Sequence, residues 1–237
     1  MPDTIQGSSC PHCGKRLQRV VVEMGGKEYR TDCFVPCDCP AAMKERSDEE
    51  ARRHREAQEE ARRVLVSKSG IPKRYASATD PEAARVADAV EAGRNAYITG
   101  GSGVGKTFLA CAAGLELIAR GKRVKFASML GILDEIKMGF REETDPLPAY
   151  KRAPVLILDD LGKGAQTDFA LERLFALIDY RSAEMKPTIV TTQYMPSELI
   201  SRLASGKGDV ETANAIVSRL REDCLPVKLG GSDRRNR

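Results

Sequence analysis

The chain has no tryptophan, and aromatic residues make up only 5% of its 237 residues. Proteins that bind single-stranded nucleic acid commonly stack the bases on aromatic side chains. We therefore expect the few aromatic residues to pack in the core or on the surface rather than to form a stacking platform. Lys and Arg number 38 against 34 for Asp and Glu, which gives a net charge of +4. This small excess permits nucleic-acid binding but does not by itself indicate it.

Long apolar runs are also missing from the chain. No stretch is long and apolar enough to span a bilayer, and the start, MPDTIQGSSC, has neither the basic nor the apolar segment of a secretory signal. No internal repeat with a period of about 20 to 50 residues is present. We therefore expect a cytoplasmic protein without membrane contact, and a chain of this length suffices for one α/β domain with a short appendage.

Cysteine is concentrated near the start of the chain. In a reducing compartment, such crowding favours a bound metal over disulfides. The segment Cys10-Pro11-His12-Cys13-Gly14 is typical of a zinc-knuckle half-site, and Cys37-Asp38-Cys39 supplies a second pair of thiols. The sequence therefore predicts one structural Zn²⁺ with four thiolate ligands: Cys10, Cys13, Cys37 and Cys39.

The zinc assignment leaves alternatives open. Cys33 and His12 are candidate replacement ligands, and free thiols or a redox pair remain possible because Cys-x-Cys is a less usual second half than Cys-x-x-Cys. A segment of this size with few large apolar side chains builds little core, so a metal would supply its folding energy. We expect such a module to serve in docking.

Composition divides the chain into three predicted parts. Residues 1–42 form the cysteine-rich zinc-binding module, with two β-like runs at 18–24 and 27–31 around the turn Gly25-Gly26. Residues 43–69 form a charged helical linker with opposite charges four apart, such as Glu49 with Arg53 and Glu59 with Arg63. Because its charges are mixed in sign, we interpret this helix as a spacer rather than a nucleic-acid-binding surface. Residues 70–237 form the main α/β domain.

The main domain alternates short β-branched runs with amphipathic helical ones, the pattern of a parallel sheet with crossover helices. We predict five strands, at 96–100, 123–128, 155–159, 188–192 and 225–229. We predict four helices, at 106–119, 130–140, 168–184 and 211–222.

A glycine-rich phosphate-binding pattern lies between the first of these strands and the first of these helices, the context that a P-loop requires. Its residues are Gly100, Gly101, Ser102, Gly103, Val104, Gly105, Lys106 and Thr107. Glycines let the backbone approach phosphates, and the helix N-terminus favours negative charge. Lys106 is expected to reach the β- and γ-phosphates of ATP, and Thr107 to hold Mg²⁺.

Two carboxylates support the phosphate site. The apolar run 155–158 ends in Asp159-Asp160, at the carboxyl edge of a strand, where open α/β sheets bind ligands. Asp159 matches the magnesium-binding aspartate of P-loop ATPases, and Asp160 the residue that polarises the attacking water. In the class of these enzymes with an additional strand, the next strand lies between those two and ends in a polar sensor. Gln193 fits that sensor, with Thr192 in reserve.

Together these motifs resemble the DnaC and IstB group of AAA+ ATPases, over residues 70–237. The supporting segments are 70–75 (GIPKRY), the P-loop, 121–124 (GKRV), 155–162 and 187–194. Ser218-Arg219-Leu220 is similar to the arginine-finger motif, and Ser232-Asp233-Arg234 to the motif of the terminal sensor arginine. Two residues depart from the family pattern. Asp160 replaces the usual glutamate, which implies either slow hydrolysis or polarisation of the attacking water through an additional water molecule, and Gln193 replaces the usual asparagine.

The resemblance implies an AAA+ core with a five-stranded parallel sheet and no helical lid domain, because only a few residues follow the last predicted strand. With its cysteine-bearing front segment, the chain is similar to DnaC-like helicase loaders, including phage loaders. It is then expected to hydrolyse ATP, to bind a replicative DNA helicase, to deliver it to single-stranded DNA, and to form a homo-oligomer on the helicase. The alternatives are an IstB-like transposition ATPase, a zinc-containing adaptor with an ATP switch, and, less favoured, a P-loop kinase.

Overall fold

The computed structural model describes residues 9–142, 144–164, 167–205 and 209–233. Contacts between Cα atoms divide the chain into two units, Met1–Ala61 and Arg62–Arg237. The division falls inside the helix that we predicted as a linker, and the three-part domain organisation stays a prediction. None of the helices in the described ranges is both long and apolar enough to cross a membrane.

The first unit contains an antiparallel hairpin. Its strands are β1 (Arg19–Met24) and β2 (Lys27–Phe34), joined by a turn in which Gly25 and Gly26 both have positive φ. Glycine adopts that conformation without steric cost, so the turn was recognisable from the sequence. A small apolar cluster of Cys10, Cys37 and Ala42 is the unit's buried centre.

A long helix, α1 (Pro40–Ser69), follows the hairpin. It begins three residues before the predicted start at residue 43, so the last residues assigned to the cysteine module belong to its first turn. The predicted pair of Arg53 with Glu49 is present, with Nη2 and Oε1 2.6 Å apart.

The second unit is built around a five-stranded parallel sheet. Its strands are β3 (Asn95–Gly100), β4 (Val124–Ser128), β5 (Val155–Asp159), β6 (Thr188–Thr192) and β7 (Cys224–Leu229). Their order across the sheet is β4-β5-β6-β3-β7. The additional strand β6 thus lies between the strand that precedes the P-loop and the strand that carries Asp159, as predicted.

Helices connect these strands and cover both faces of the sheet. They are α2 (Ala83–Glu91), α3 (Lys106–Ala119), α4 (Met129–Glu142), α5 (Leu147–Arg152), α6 (Asp168–Ala183), α7 (Pro196–Leu203) and α8 (Val210–Arg221). Three of them, α2, α5 and α7, were not predicted. After β7 the described residues 230–233 form no helix.

Strand β5 shows how the sheet separates two apolar cores. All five of its residues are buried. Leu156 and Leu158 belong to the core that contains α6 and α8, whereas Val155 and Ile157 belong to the core that contains α2 and α3. Successive side chains of a strand point to opposite faces, so a strand covered on both sides is apolar throughout. The carboxyl edge of this buried strand is where Asp159 emerges.

Candidate functional site

The predicted P-loop forms the turn between β3 and α3. Gly100, Gly103 and Gly105 have φ values of 152°, 73° and 105°, which residues with a Cβ rarely adopt. A Cβ on Gly100 would lie 2.4 Å from the carbonyl oxygen of Leu229. Helix α3 begins at Lys106, so its N-terminus adjoins the loop and favours an anion there.

Lys106 folds back into this loop. Its Nζ donates to the carbonyl oxygens of Gly100 and Gly101 at 2.9 and 2.7 Å, and the residue is buried. These bonds hold the ammonium group beside the backbone that would surround a phosphate. The charged group therefore lies at the predicted phosphate loop, and its contact with the β- and γ-phosphates stays a prediction.

Thr107 and Asp159 meet at the same edge of the sheet. The Thr107 hydroxyl donates to Asp159 Oδ1 at 2.9 Å, and the Thr191 hydroxyl donates to the same oxygen at 2.6 Å. Burial raises the pKa of the Asp159 carboxyl, although both hydroxyls act to lower it. A hydroxyl and a carboxylate oxygen beside a phosphate loop are the ligands that Mg²⁺ takes in such sites. The donor set therefore fits a magnesium nucleotide.

Asp160 and Gln193 line one cavity together with Ser102, Lys106 and Thr107. Asp160 has a φ of 55°, and its backbone N–H donates to the Thr191 hydroxyl at 2.9 Å. The Thr192 hydroxyl donates to the carbonyl oxygen of Leu161 at 2.7 Å, and its reserve role as a sensor stays a prediction. The structure thus brings the predicted carboxylates, lysine and sensor glutamine together at one site.

Four residues of this cavity were given no role by the sequence: Arg74, Tyr75, Phe108 and Lys163. The rings of Tyr75 and Phe108 pack edge to face with centroids 6.3 Å apart, and Arg74 Cζ lies 4.5 Å from the centre of the Tyr75 ring. Arg74 and Tyr75 belong to the segment 70–75 that carried the family resemblance, which was the available signal. Lys163 had none beyond its position three residues after Asp160.

Arg219 lies elsewhere in the second unit. Its Nη2 is 2.8 Å from Asp179 Oδ1, its Cζ is 5.2 Å from the centre of the Phe175 ring, and its carbonyl oxygen accepts a bond from Asn95. Asn95 is the first residue of β3, whereas the P-loop follows the last. The structure therefore does not bring Arg219 to the P-loop of its own chain. Arg234 lies outside the described residues.

The four predicted zinc ligands converge in the first unit. The sulfur atoms of Cys10, Cys13, Cys37 and Cys39 all lie within 4.8 Å of one another. The Cys10–Cys39 distance is 3.8 Å and the Cys13–Cys37 distance is 3.5 Å. Four sulfurs bound at about 2.3 Å to a tetrahedral zinc lie about 3.8 Å apart. The cluster therefore has the dimensions of a zinc site.

Neither alternative ligand belongs to this cluster. Cys33 is an exposed residue of β2, and His12 Nε2 lies 2.7 Å from Glu45 Oε2 on α1. Backbone N–H groups of Cys13 and His12 lower the pKa of the Cys10 thiol to about 6. The Lys15 N–H acts to lower the pKa of Cys13, but the neighbouring Cys37 thiol and burial raise it to about 12. Thiols this close cannot all ionise without a cation, so the donor set fits a divalent metal.

Comparison with known proteins places this geometry in a family. A family model described as IstB-like ATP binding protein matches residues 67–237. The replicative helicase loader DnaI of Bacillus subtilis is 27% identical over 150 residues, which cover 61% of this chain and 48% of that protein. An ATP-binding protein in an insertion sequence of Mycobacterium tuberculosis is 31% identical over 110 residues, which cover 46% of this chain and 44% of that protein.

A solved structure of the DnaC helicase loader has a similar fold. It superposes with a TM-score of 0.56 at 26% identity, covering 67% of this chain and all of that one. The chain spans about half the length of the two sequence relatives named above. Since the family model covers well over half of the chain, including the P-loop and Asp159, the chain belongs to the family of IstB-like ATP-binding proteins.

Proposed function

We propose that the chain is an ATP-dependent helicase loader that binds a replicative DNA helicase and delivers it to single-stranded DNA. The observation that carries this proposal is the similarity to a helicase loader over 61% of the chain. The cysteine cluster precedes the family match at residue 67, and we assign docking to it.

In this proposal, Lys106, Thr107 and Asp159 hold magnesium ATP. Lys106 balances phosphate charge, while Thr107 and Asp159 would supply oxygen ligands to the metal, and a bound Mg²⁺ would polarise the phosphate oxygens. Asp160 accepts a proton from a water molecule whose oxygen bonds to the γ-phosphorus. The bond from that phosphorus to the bridging oxygen breaks, leaving ADP and phosphate. Because aspartate is one methylene shorter than glutamate, we expect slow hydrolysis.

A structural zinc is the second part of the proposal. Elemental analysis of the purified protein should find about one zinc per chain, because four thiolates form one tetrahedral site. Cys37→Ser should lose the metal and lower the melting temperature of the first unit. Cys33→Ser is the matched control and should keep both, since Cys33 lies outside the cluster. A folded protein without zinc, or equal loss from both variants, would refute the assignment.

The docking surface is assigned to one face of the hairpin. Val22 pairs with Tyr29 across the strands, and Met24 lies two residues from Val22, so these three side chains share a face. They are exposed, with Met24 at 67%. An isolated two-stranded hairpin gains stability from a partner that covers its apolar face. Val21 is also exposed, but it lies on the opposite face.

A binding experiment with the full chain tests the partner. Purified replicative helicase of the source organism should be retained by the immobilised protein, and Met24→Glu should weaken its retention at least about tenfold, because the charge would be buried at the interface. The matched control, Val21→Glu, should bind normally. Retention of a transposase instead of the helicase would favour an IstB-like role in transposition, the alternative that the insertion-sequence relative supports.

Arg219 is proposed to act on ATP bound to a neighbouring copy of the chain. Arg219 lies near the start of β3, whereas its own P-loop follows the end of that strand, and this separation supports action between subunits. An arginine finger raises rates by about 10³ to 10⁵ in GTPases. Mixing Arg219→Ala protein with Lys106→Ala protein should restore ATP hydrolysis, because each supplies what the other lacks. Activity that stays at zero in mixed assemblies would exclude a shared site.

A further inference from the structure

Lys163 forms an ion pair inside the nucleotide cavity that the family motifs do not explain. Its Nζ lies 2.6 Å from Asp160 Oδ2, and both residues line the cavity with Lys106, Thr107 and Gln193. The carboxylate that we assign to the attacking water is thus bound by a second lysine at the same site. Both side chains are partly exposed, Lys163 at 55% and Asp160 at 37%.

The backbone around Lys163 is held in place by two neighbouring elements. From β6, Thr191 binds the backbone of Asp160 and Leu161, and Thr192 binds the Leu161 carbonyl oxygen. From α7, Arg202 donates to the carbonyl oxygens of Gly162 and Gly164 at 3.0 and 2.8 Å. A Cβ on Gly162 would lie 2.9 Å from side-chain atoms of Leu199 and Tyr194, so the loop packs closely against these two side chains.

A fixed backbone leaves the long Lys163 side chain as the movable part. Exposed lysine–carboxylate pairs contribute little to stability, because water screens them and two side chains must be ordered. Lys163 can therefore exchange partners at little cost. A terminal phosphate of ATP in this cavity carries more negative charge than one carboxylate and offers more acceptor oxygens.

We propose that Lys163 is a second phosphate-binding lysine. When ATP binds, its ammonium group moves from Asp160 to the γ-phosphate. This inference rests on the proposed ATP site. ADP lacks the terminal phosphate, so with ADP the lysine stays on Asp160. With ATP bound, the exchange makes Asp160 Oδ2 available to accept a hydrogen bond from a water molecule. Lys163 would then make the carboxylate accessible to water only when there is a γ-phosphate to attack.

Binding measurements separate this role from a structural one. We expect Lys163→Met to weaken binding of a non-hydrolysable ATP analogue about tenfold, or about 1.4 kcal/mol, while ADP binding changes less than about twofold, because only the triphosphate offers the new partner. Lys163→Arg keeps the cation and should retain most of the preference for the triphosphate. The matched control is Lys137→Met. Lys137 pairs with Asp134, three residues before it in the sequence, as Lys163 does with Asp160, but Lys137 does not line the cavity.

A double-mutant cycle tests the exchange itself. Asp160→Asn removes the competing carboxylate, so it should tighten binding of the ATP analogue, and more strongly with Lys163 present than in the Lys163→Met background. Equal effects in both backgrounds, or equal losses of ATP analogue and ADP in Lys163→Met, would overturn the inference. If the unaltered protein bound neither nucleotide, the proposed ATP site itself would fail.

Discussion

Replacing Lys106 with alanine is expected to weaken ATP binding by at least about 100-fold, or about 2.7 kcal/mol. The ammonium group is buried within the P-loop, where it bonds to the carbonyl oxygens of Gly100 and Gly101. With ATP bound, it would make charge-assisted hydrogen bonds to the phosphates, which are among the strong ones in proteins. In the alanine variant, the phosphate oxygens lose the ammonium group as a partner.

Calorimetry with a non-hydrolysable ATP analogue measures the effect. Lys122→Ala is the matched control, because Lys122 pairs with Glu91 at 3.2 Å and does not line the nucleotide cavity. It should bind the analogue as the unaltered protein does. An unchanged affinity in Lys106→Ala protein would remove the phosphate-binding assignment from this loop.

Replacing Arg181 with methionine should lower the free energy of unfolding by about 3–5 kcal/mol, because several buried hydrogen bonds from a charged donor are lost together. Arg181 is 1% exposed, and burial lowers the pKa of its guanidinium to about 9, which leaves it charged at neutral pH. In the described part of the chain it forms no salt bridge to a carboxylate. It donates instead to oxygens of five residues: Thr188, Tyr150, Lys151, Ala153 and Pro187.

These bonds join the end of α5 and the starts of β5 and β6 to α6. Methionine fills a similar volume but leaves the buried carbonyl oxygens without donors, and each unsatisfied group costs about 1–3 kcal/mol. Urea unfolding followed by circular dichroism measures the loss. Arg85→Met, which breaks only an exposed pair with Glu82, should change the same quantity by less than about 1 kcal/mol. A loss no larger for Arg181 than for Arg85 would contradict this account.

The central strands of the fold were predictable because a short apolar or β-branched run is easily recognised in the sequence. Strands β5 and β6 are apolar or β-branched runs buried on both faces, and both have the bounds that the sequence predicts. Helix α3 also matches, since the P-loop glycines define its start. Helices α5 and α7 were missed because, at six and eight residues, they are too short to show a clear period. They are stabilised by packing that a local pattern does not reveal.

The nucleotide site was predictable where function constrains residue type in a fixed order. Thr107 and Asp159 lie 52 positions apart, and their motifs predicted that both serve one magnesium site; in the structure their side chains are hydrogen-bonded. Lys163 and Phe108 lack such motifs. Their place in the cavity depends on how the loop after β5 packs on β6 and α7, and on the approach of Tyr75. Arg181 was not recognised because a buried arginine bound to carbonyl oxygens has no sequence pattern.

The most direct test of the proposed function is loading of the helicase onto a single-stranded DNA circle, which has no ends over which a helicase could thread. Purified helicase, circle, ATP and this protein are mixed, and the helicase that remains on the circle after isolation is measured. We expect deposition of helicase only when both ATP and the protein are present, and none with Lys106→Ala. The same amount of helicase on the circle with and without the protein would contradict the helicase-loader account.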